Sequence, residues 1–196
     1  MIAAMNVPVT RAAEGLARRA FTVADVERMV EVGLIAPDER IEVLGGEIVP
    51  MSPKGARHEA LKVALSLHWG KRCPDSHVVA PETGLRLSKD TYLEPDIVVF
   101  RKAVGIAGLK GPDVLLAVEV ADSSLDYDLK RKPLICAAFG VRELWVIDAA
   151  RRIVHVHVGP GEGGYAWTAT RTAAERLEPT EAPGDFALAL DELEAL

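Results

Sequence analysis

Two acidic residues lie within apolar runs that are typical of β-strands, Asp96 in EPDIVVF and Glu119 in LLAVEV. We expect each acid near the C-terminal end of its strand, and the two strands to be neighbours. Burying a carboxylate without a partner is costly, so two such acids with lysines close behind indicate a shared ligand. Mg²⁺ takes oxygen ligands and commonly uses one or two protein carboxylates together with waters. The pattern therefore predicts a site for a hard divalent cation.

A site of this kind is suited to hydrolysis of phosphodiester bonds. A divalent cation stabilises the charge that grows on a phosphorus centre and makes water more acidic. A lysine beside it can orient the attacking water or stabilise the pentacovalent phosphate. The candidates are Lys130 and Lys132, which follow Glu119 in the stretch DLKRK.

The first half of the chain shows alternating helix and strand signals. Thr22 and Asp25 have capping-box spacing before an apolar stripe that stops at Gly33, which predicts a helix. The run ERIEVLGGEIVPM predicts a tight hairpin, residues 51–55 a loop, and residues 57–72 a second helix. Strands are predicted at residues 77–80, 84–88, 94–100 and 113–120.

The second half must place the lysines. Residues 113–120 are apolar on both alternate sets, as in a strand covered on two faces. Ser123 or Ser124 can cap the next helix, but Pro133 has no backbone N–H, so that helix begins near Arg131 or is kinked. RELWVID and RRIVHVHV predict a hairpin, GPGEGGY a turn, and the C-terminal segment a short terminal helix. This order predicts a mixed α/β or α+β domain with a central sheet.

Composition narrows the function classes. The chain has 196 residues, of which 49% are hydrophobic and 27% charged, which suits one globular domain. Its net charge of −6 argues against a large positive surface, so any contact with nucleic acid must be local. The two cysteines form no CxxC pair, and no apolar run approaches the ~20 residues that span a bilayer. We expect a cytoplasmic protein without a membrane partner.

Four blocks together resemble a known family. RIEVLGGEIVPMSPKGARH, EPDIVVF, VEVADSSLDYDLKRK and GVRELWVID occur in this order. They resemble the bacterial restriction-endonuclease-like family of mostly uncharacterised proteins within the PD-(D/E)XK nuclease superfamily. The resemblance implies a restriction-endonuclease-like core over residues 21–196 as a single domain, with a central mixed sheet flanked by helices. Residues 1–20 would be an N-terminal arm, either disordered or packed on a second subunit.

The same resemblance implies a function and a ligand set. It implies an endonuclease that depends on Mg²⁺ or Mn²⁺, acts on DNA and works as a homodimer. The apolar strand RRIVHVHV or the C-terminal segment could serve as the interface. Asp96, Glu119 and Val120 would hold the metal. The simplest superfamily pattern has a lysine two residues after the glutamate, where this chain has Ala121. Lys132, four residues after Asp128, matches the family's alternative position.

The resemblance also assigns two further residues and shows two departures. Glu42 and His58 match positions around the metal pocket, where each could orient water. Cys136 stands where the family usually has tyrosine, and Pro133 stands one place before its usual proline. These departures bear on the geometry of the helix that carries Lys132, for which Lys130 is the substitute.

Simpler structural roles remain for every one of these residues. Asp96 could cap a turn after Pro95, and Glu119 could form a buried salt bridge with an arginine. Asp128 and Lys132 have the spacing of an ordinary helical ion pair. The remaining alternatives are a helix-surface role for His58, pairing of Glu42 with Arg40 or Lys54, and a solvent-facing strand side for His155 and His157.

An alternative function belongs to another class. A non-catalytic nucleic-acid-binding or regulatory domain could keep the nuclease fold as a scaffold. The acidic net charge favours this reading, as does the weakness of the basic set formed by Lys54, Arg57, Lys62, Lys71 and Arg72. Both carboxylates and a correctly spaced lysine favour the enzyme.

Overall fold

The computed structural model describes residues 9–11 and 17–193. Four α-helices lie in this part of the chain: α1 Val23–Glu31, α2 Ala56–Gly70, α3 Leu125–Lys130 and α4 Lys132–Ala138. The first six strands are β1 Val9–Arg11, β2 Ala17–Arg19, β3 Ile41–Leu44, β4 Glu47–Pro50, β5 His77–Pro81 and β6 Leu85–Arg86. The other six are β7 Tyr92–Leu93, β8 Ile97–Arg101, β9 Val114–Ala121, β10 Glu143–Asp148, β11 Ile153–Gly161 and β12 Gly164–Thr172.

These elements group into two compact units. One consists of the residues up to Met51 together with Gly84–Glu94, and the other of Ser52–Thr83 together with the chain from Pro95 onward. The single domain over residues 21–196 therefore stays a prediction. Of the N-terminal arm, residues 1–8 and 12–16 lie outside the described part of the chain, and β1 and β2 pair antiparallel.

In the smaller unit, α1 begins at the predicted capping box. The Thr22 hydroxyl accepts a hydrogen bond from the Asp25 backbone N–H, and the Asp25 carboxylate accepts one from the Thr22 N–H, which fixes the start of α1. The predicted hairpin joins β3 to β4 through two glycines with positive φ, and it belongs to a four-stranded sheet in the order β4-β3-β7-β6. Val26, Ile35 and Val43 form its core.

The larger unit is built on a six-stranded sheet in the order β12-β11-β10-β9-β8-β5. The pair β9·β10 is parallel and the other pairs are antiparallel, so the sheet is mixed. All eight residues of β9 are buried, as the apolar pattern on both its faces predicted. Leu65 and Trp69 of α2 pack in its main core, where the Trp69 indole N–H donates to the Phe186 carbonyl at 3.0 Å.

Two predictions about elements are wrong, and one strand was missed. Strand β8 begins at Ile97, so Asp96 precedes the strand instead of lying near its C-terminal end. The reason is that Asp96 stands before the apolar residues of EPDIVVF, which alone form the strand. Because β8 runs antiparallel to β9, its start is nevertheless level with the end of β9. Strand β12 was not predicted, because it is an edge strand in which no residue is fully buried, so it lacks a continuous apolar run. The predicted terminal helix is only a 3₁₀ turn at Leu190–Glu192 within the described residues.

The helix after β9 is broken, as Pro133 predicted. α3 ends at Lys130, Arg131 interrupts it, and Pro133 lies in the first turn of α4. Proline has no N–H to continue the hydrogen bonds of α3, so it is compatible only with a new start. Lys132 therefore opens a second short helix. No helix within residues 9–11 and 17–193 is both long and apolar enough to cross a membrane.

Candidate metal centre

Asp96 and Glu119 meet where β8 begins and β9 ends. The register pairs Ile97 with Val118, and one step further brings Asp96 level with Glu119. The Val120 backbone N–H donates to the Asp96 Oδ2 at 2.8 Å, which ties the two strand ends together through the residue next to Glu119. Both carboxylates are buried. The three residues that the sequence predicted as metal ligands thus lie side by side.

The Asp96 carboxylate has a partner at each oxygen. Lys54 Nζ lies 3.0 Å from Oδ1, and His58 Nε2 lies 3.0 Å from Oδ2. Burial raises the pKa of Asp96, but the His58 hydrogen bond and charge, the Val120 N–H and the Lys54 charge together lower it to about 2. Because an ionised carboxylate can only accept, the His58 Nε2 carries the hydrogen. His58 is therefore a buried partner of Asp96 and not a helix-surface residue.

Glu119 has a separate lysine. Lys132 Nζ lies 2.9 Å from its Oε1, and both side chains are only 4% exposed. The same ammonium lies 3.5 Å from Asp128 Oδ1, across the break between α3 and α4. Lys130 instead pairs at 2.5 Å with Asp126 on the surface. The two candidate lysines therefore occupy different environments, and Lys132 alone of the pair contacts Glu119.

Sequence reasoning missed an ion-pair network beside Asp96. Lys54 Nζ contacts Glu82 Oε1 at 2.5 Å as well as Asp96. Lys62 Nζ contacts the same Glu82 oxygen at 2.9 Å and Glu59 at 2.9 Å. The hydrogen bonds from Lys54 and Lys62 lower the pKa of Glu82 to about 2. Lys54 and Lys62, two members of the weak basic set, thus form ion pairs within the protein.

Glu82 is held in an unusual conformation. It has a φ of +48°, in the left-handed region that non-glycine residues seldom adopt and that costs about 1–3 kcal/mol. Its backbone N–H donates to the Asp96 carbonyl at 3.0 Å, which fixes it beside the centre. No local sequence signal marks such a residue, since glycine or asparagine is the expected type there.

Three other predicted residues have neighbours of their own. Glu42 belongs to the smaller unit, where its buried carboxylate accepts the Glu94 N–H at 3.2 Å, while Arg40 pairs with Glu94. His155 and His157 lie on β11 opposite Thr170 and Thr168 of β12. Burial lowers the pKa of His157 to about 4, so its ring is uncharged at neutral pH.

The donor set fits a hard cation held by few protein ligands. Asp96 and Glu119 offer carboxylate oxygens, and Val120 can offer only its backbone oxygen, which are the ligand types that Mg²⁺ and Mn²⁺ accept. Within the described residues, no group of three or more His, Cys, Asp and Glu side chains is placed to hold a metal. A cation bound here would therefore keep several waters, as Mg²⁺ commonly does.

Comparisons with known proteins agree with the fold and the ordered motifs. Residues 23–191 match the Uma2 family, whose description is "Putative restriction endonuclease". The chain belongs to this family. The match confirms the predicted restriction-endonuclease-like relationship, and the six-stranded mixed sheet with its helices confirms the predicted fold class. Among curated proteins, no relative matches the chain.

A solved structure shares the fold of this Uma2 family member. It is a crystal structure from Anabaena variabilis ATCC 29413, described as a "putative nuclease belonging to DUF820". The TM-score is 0.64 at 16% sequence identity, and the match covers 89% of this chain and 94% of that one. At this identity the likeness shows the common fold alone.

Proposed function

We propose that the protein is a Mg²⁺- or Mn²⁺-dependent endonuclease that hydrolyses phosphodiester bonds of DNA. Membership of a family described as restriction endonucleases supports nuclease chemistry in general terms. The observation that carries the specific proposal is that Asp96 and Glu119 lie level with each other, at the start of β8 and near the end of β9. Two buried carboxylates that are level on adjacent strands, each beside a lysine, are costly to desolvate, and a divalent cation that they share is a ligand that suits them.

In this proposal Asp96, Glu119 and the Val120 carbonyl hold the cation. When bound, the cation supplies positive charge for the developing phosphorane and makes a nearby water easier to deprotonate. The Val120 N–H and the His58 Nε2–H hold the Asp96 carboxylate in one orientation, through bonds of 2.8 and 3.0 Å to the same oxygen. These bonds keep the carboxylate ionised, so that it binds a cation at neutral pH.

Lys132 stabilises the transition state. Its ammonium is fixed between Glu119 and Asp128, and the Asp128 Oδ2 accepts a hydrogen bond from the Ser124 hydroxyl at 2.5 Å. A lysine held in this way brings positive charge to the phosphate without reorganisation. Glu42 and His58 keep the proposed role of positioning water, which for Glu42 rests on the family resemblance.

DNA would be gripped locally, because the chain carries a net charge of −6. A homodimer would supply two centres for cutting two strands. Within the sheet, β11 is hydrogen-bonded to both β10 and β12, so RRIVHVHV has no unpaired strand edge for a second copy. We propose a cytoplasmic homodimer, and light scattering coupled to size exclusion tests its mass.

One observation favours the non-catalytic alternative. Each candidate ligand already faces an ammonium, Lys54 at Asp96 and Lys132 at Glu119, so the site is neutralised without any cation. A regulatory or nucleic-acid-binding domain on a nuclease scaffold would retain such ion pairs for stability alone. It would show no Mn²⁺ affinity that depends on Asp96 and Glu119.

Nicking of supercoiled plasmid, together with cutting of labelled single-stranded DNA, tests the enzyme. With Mg²⁺ or Mn²⁺ the intact protein should cut, and Asp96→Asn and Glu119→Gln should reduce cutting to background. Lys132→Met should lower the rate constant by about 100-fold or more, since one fixed charge at a transition state has that order of effect. Lys130→Met is the matched control, because Lys130 is exposed and pairs with Asp126; it should cut normally.

Circular dichroism must show that each variant is folded before its rate is interpreted. An intact protein that does not cut either substrate, or carboxylate variants that cut at the normal rate, would refute the catalytic proposal and favour the scaffold. Equal losses in Lys132→Met and Lys130→Met would remove the special role of Lys132 while leaving the metal centre.

A further inference from the structure

Lys54 is shared between two carboxylates of unequal distance. Its Nζ lies 2.5 Å from Glu82 and 3.0 Å from Asp96 Oδ1, and the side chain is 13% exposed. It lies in the loop before α2, outside any regular element, so the ammonium can move between the two acids by side-chain rotation. Asp96 Oδ1 is the oxygen that neither His58 nor Val120 contacts in these pairs. Lys54 therefore stands where a cation bound by Asp96 would meet it.

The ion-pair network around Lys54 has a second possible set of ion pairs. It contains three carboxylates (Asp96, Glu82 and Glu59), two ammonium groups (Lys54 and Lys62) and the His58 ring, which lies 3.0 Å from Asp96 and 3.3 Å from Glu59. If Lys54 pairs with Glu82 alone and Lys62 with Glu59, each ammonium keeps one carboxylate. Asp96 is then left with its negative charge and with the Val120 N–H and His58 as its hydrogen-bond partners. This arrangement needs no backbone movement, because both alternative pairs already exist at 2.5 and 2.9 Å.

We propose that Lys54 is a displaceable internal cation, which neutralises Asp96 when no metal is bound and withdraws onto Glu82 when a divalent cation binds. Glu82 is the receiving carboxylate, and its strained φ of +48° and its N–H bond to the Asp96 carbonyl fix it for this purpose. The inference rests on the proposed metal centre at Asp96. It adds a competing cation, Lys54, and a carboxylate that receives it, Glu82. Together these two residues set the metal affinity of Asp96.

A bound Mn²⁺ ion and the Lys54 ammonium each weaken the binding of the other to Asp96. By linkage the factor is the same for both, and couplings between two binding events are typically 5–150-fold. Lys54→Met should therefore tighten Mn²⁺ binding by about tenfold, because the competitor is gone. Lys62→Met is the matched control: it removes an equal charge from the same network, but Lys62 contacts Glu82 and Glu59 and not Asp96. It should change the affinity by less than about threefold.

The reverse change uses Glu82→Gln, which keeps the Lys54 charge but removes its receiving carboxylate. Lys54 should then remain on Asp96 and weaken Mn²⁺ binding by about tenfold. Glu59→Gln removes a carboxylate of the same network that pairs with Lys62 instead of Lys54, and it should weaken binding much less. This second arm keeps the inference testable if Lys54→Met does not fold.

The readout is the Mn²⁺ dissociation constant from isothermal titration calorimetry of the full chain, without DNA and without turnover. Tighter binding by Lys54→Met alone, with weaker binding by Glu82→Gln, supports the inference. Unchanged binding by Lys54→Met, or equal tightening by Lys62→Met, overturns it while the metal centre stands. Identical binding curves for the intact protein and Asp96→Asn would instead remove the proposed metal centre.

Discussion

Lys132→Met should destabilise the protein strongly, because it leaves a buried carboxylate without its ammonium. Glu119 and Lys132 are each 4% exposed and 2.9 Å apart. Removing one partner of a buried pair typically costs about 3–5 kcal/mol, since the remaining charge is neither solvated nor neutralised. Methionine retains most of the volume of the lysine stem, so cavity formation adds little. We therefore expect a loss of about 3–5 kcal/mol in the free energy of unfolding.

Lys130 provides a matched control, because its ion pair is exposed to solvent whereas that of Lys132 is buried. Lys130 pairs with Asp126 at 2.5 Å, but these side chains are 71% and 81% exposed. Exposed helical pairs of this spacing contribute about 0.3–0.5 kcal/mol. Lys130→Met should therefore cost about a tenth of what Lys132→Met costs, although both variants remove one lysine within two residues of each other.

Urea denaturation in metal-free buffer at pH 7, followed by circular dichroism, measures both variants. A third variant, Lys132→Met with Glu119→Gln, removes the stranded charge and should regain at least about 1 kcal/mol relative to Lys132→Met. A loss below about 1 kcal/mol in Lys132→Met, or a double variant no more stable than it, would refute the view that Glu119 depends on Lys132 for its charge.

Further predictions concern acid stability, helix capping and the core. Because burial lowers the pKa of His157 to about 4 from 6.5, the unfolded chain binds its proton first, and stability should fall as the pH drops from 6.5 towards 4. His157→Phe should lessen this loss by up to about 3 kcal/mol, measured as the pH dependence of the urea midpoint, and an unchanged pH profile would contradict it. Thr22→Ala removes the cap of α1 and should cost about 1 kcal/mol, whereas no loss would show that the cap is redundant. Trp69→Ala empties a fully buried site and should cost about 3–5 kcal/mol in the same assay, and a cost below about 1 kcal/mol would show that the core refills the space.

Local signals were sufficient for many of the elements. The capping box of α1 depends on residues three apart, and the hairpin between β3 and β4 depends on two adjacent glycines. Strand β9 was predictable because an apolar run of its length on both alternate faces suits only the middle of a sheet. The break at Arg131 followed from the missing N–H of Pro133. In each case the physical cause lies within a few residues of its effect.

Strand direction and edge strands were not predictable in this way. Asp96 was expected near the C-terminal end of its strand, although in EPDIVVF it stands before the apolar residues that form β8. That β8 runs against β9, which brings Asp96 level with Glu119, could not be read from either stretch. Strand β12 was missed because an edge strand can remain partly exposed along its whole length, and GYAWTATRT has no fully buried residue to give a strong periodic signal. Both facts depend on partners that are distant in sequence.

The network around Asp96 was also beyond sequence reasoning, although its residues are ordinary types. Lys54 and Glu82 are 28 positions apart, and Lys62 and Glu82 are 20 apart, so no helical or strand period relates them. Lys54 and Lys62 looked like parts of a surface basic set, since only the folded chain brings carboxylates to them. Glu82, an acidic member of this network, has a positive φ that cannot be predicted from its residue type.

The two lysines at the centre differ in which carboxylate they approach more closely, and this difference fits their proposed tasks. Lys54 lies 2.5 Å from the outlying Glu82 and 3.0 Å from Asp96, so it is already biased away from the centre. Lys132 lies 2.9 Å from Glu119 and 3.5 Å from the outlying Asp128, so it is biased towards it. A divalent cation that repels both ammonium groups would therefore displace Lys54 first, because Lys54 has the closer alternative. Lys132 would remain beside the reacting phosphate, where a transition state that gains negative charge needs it.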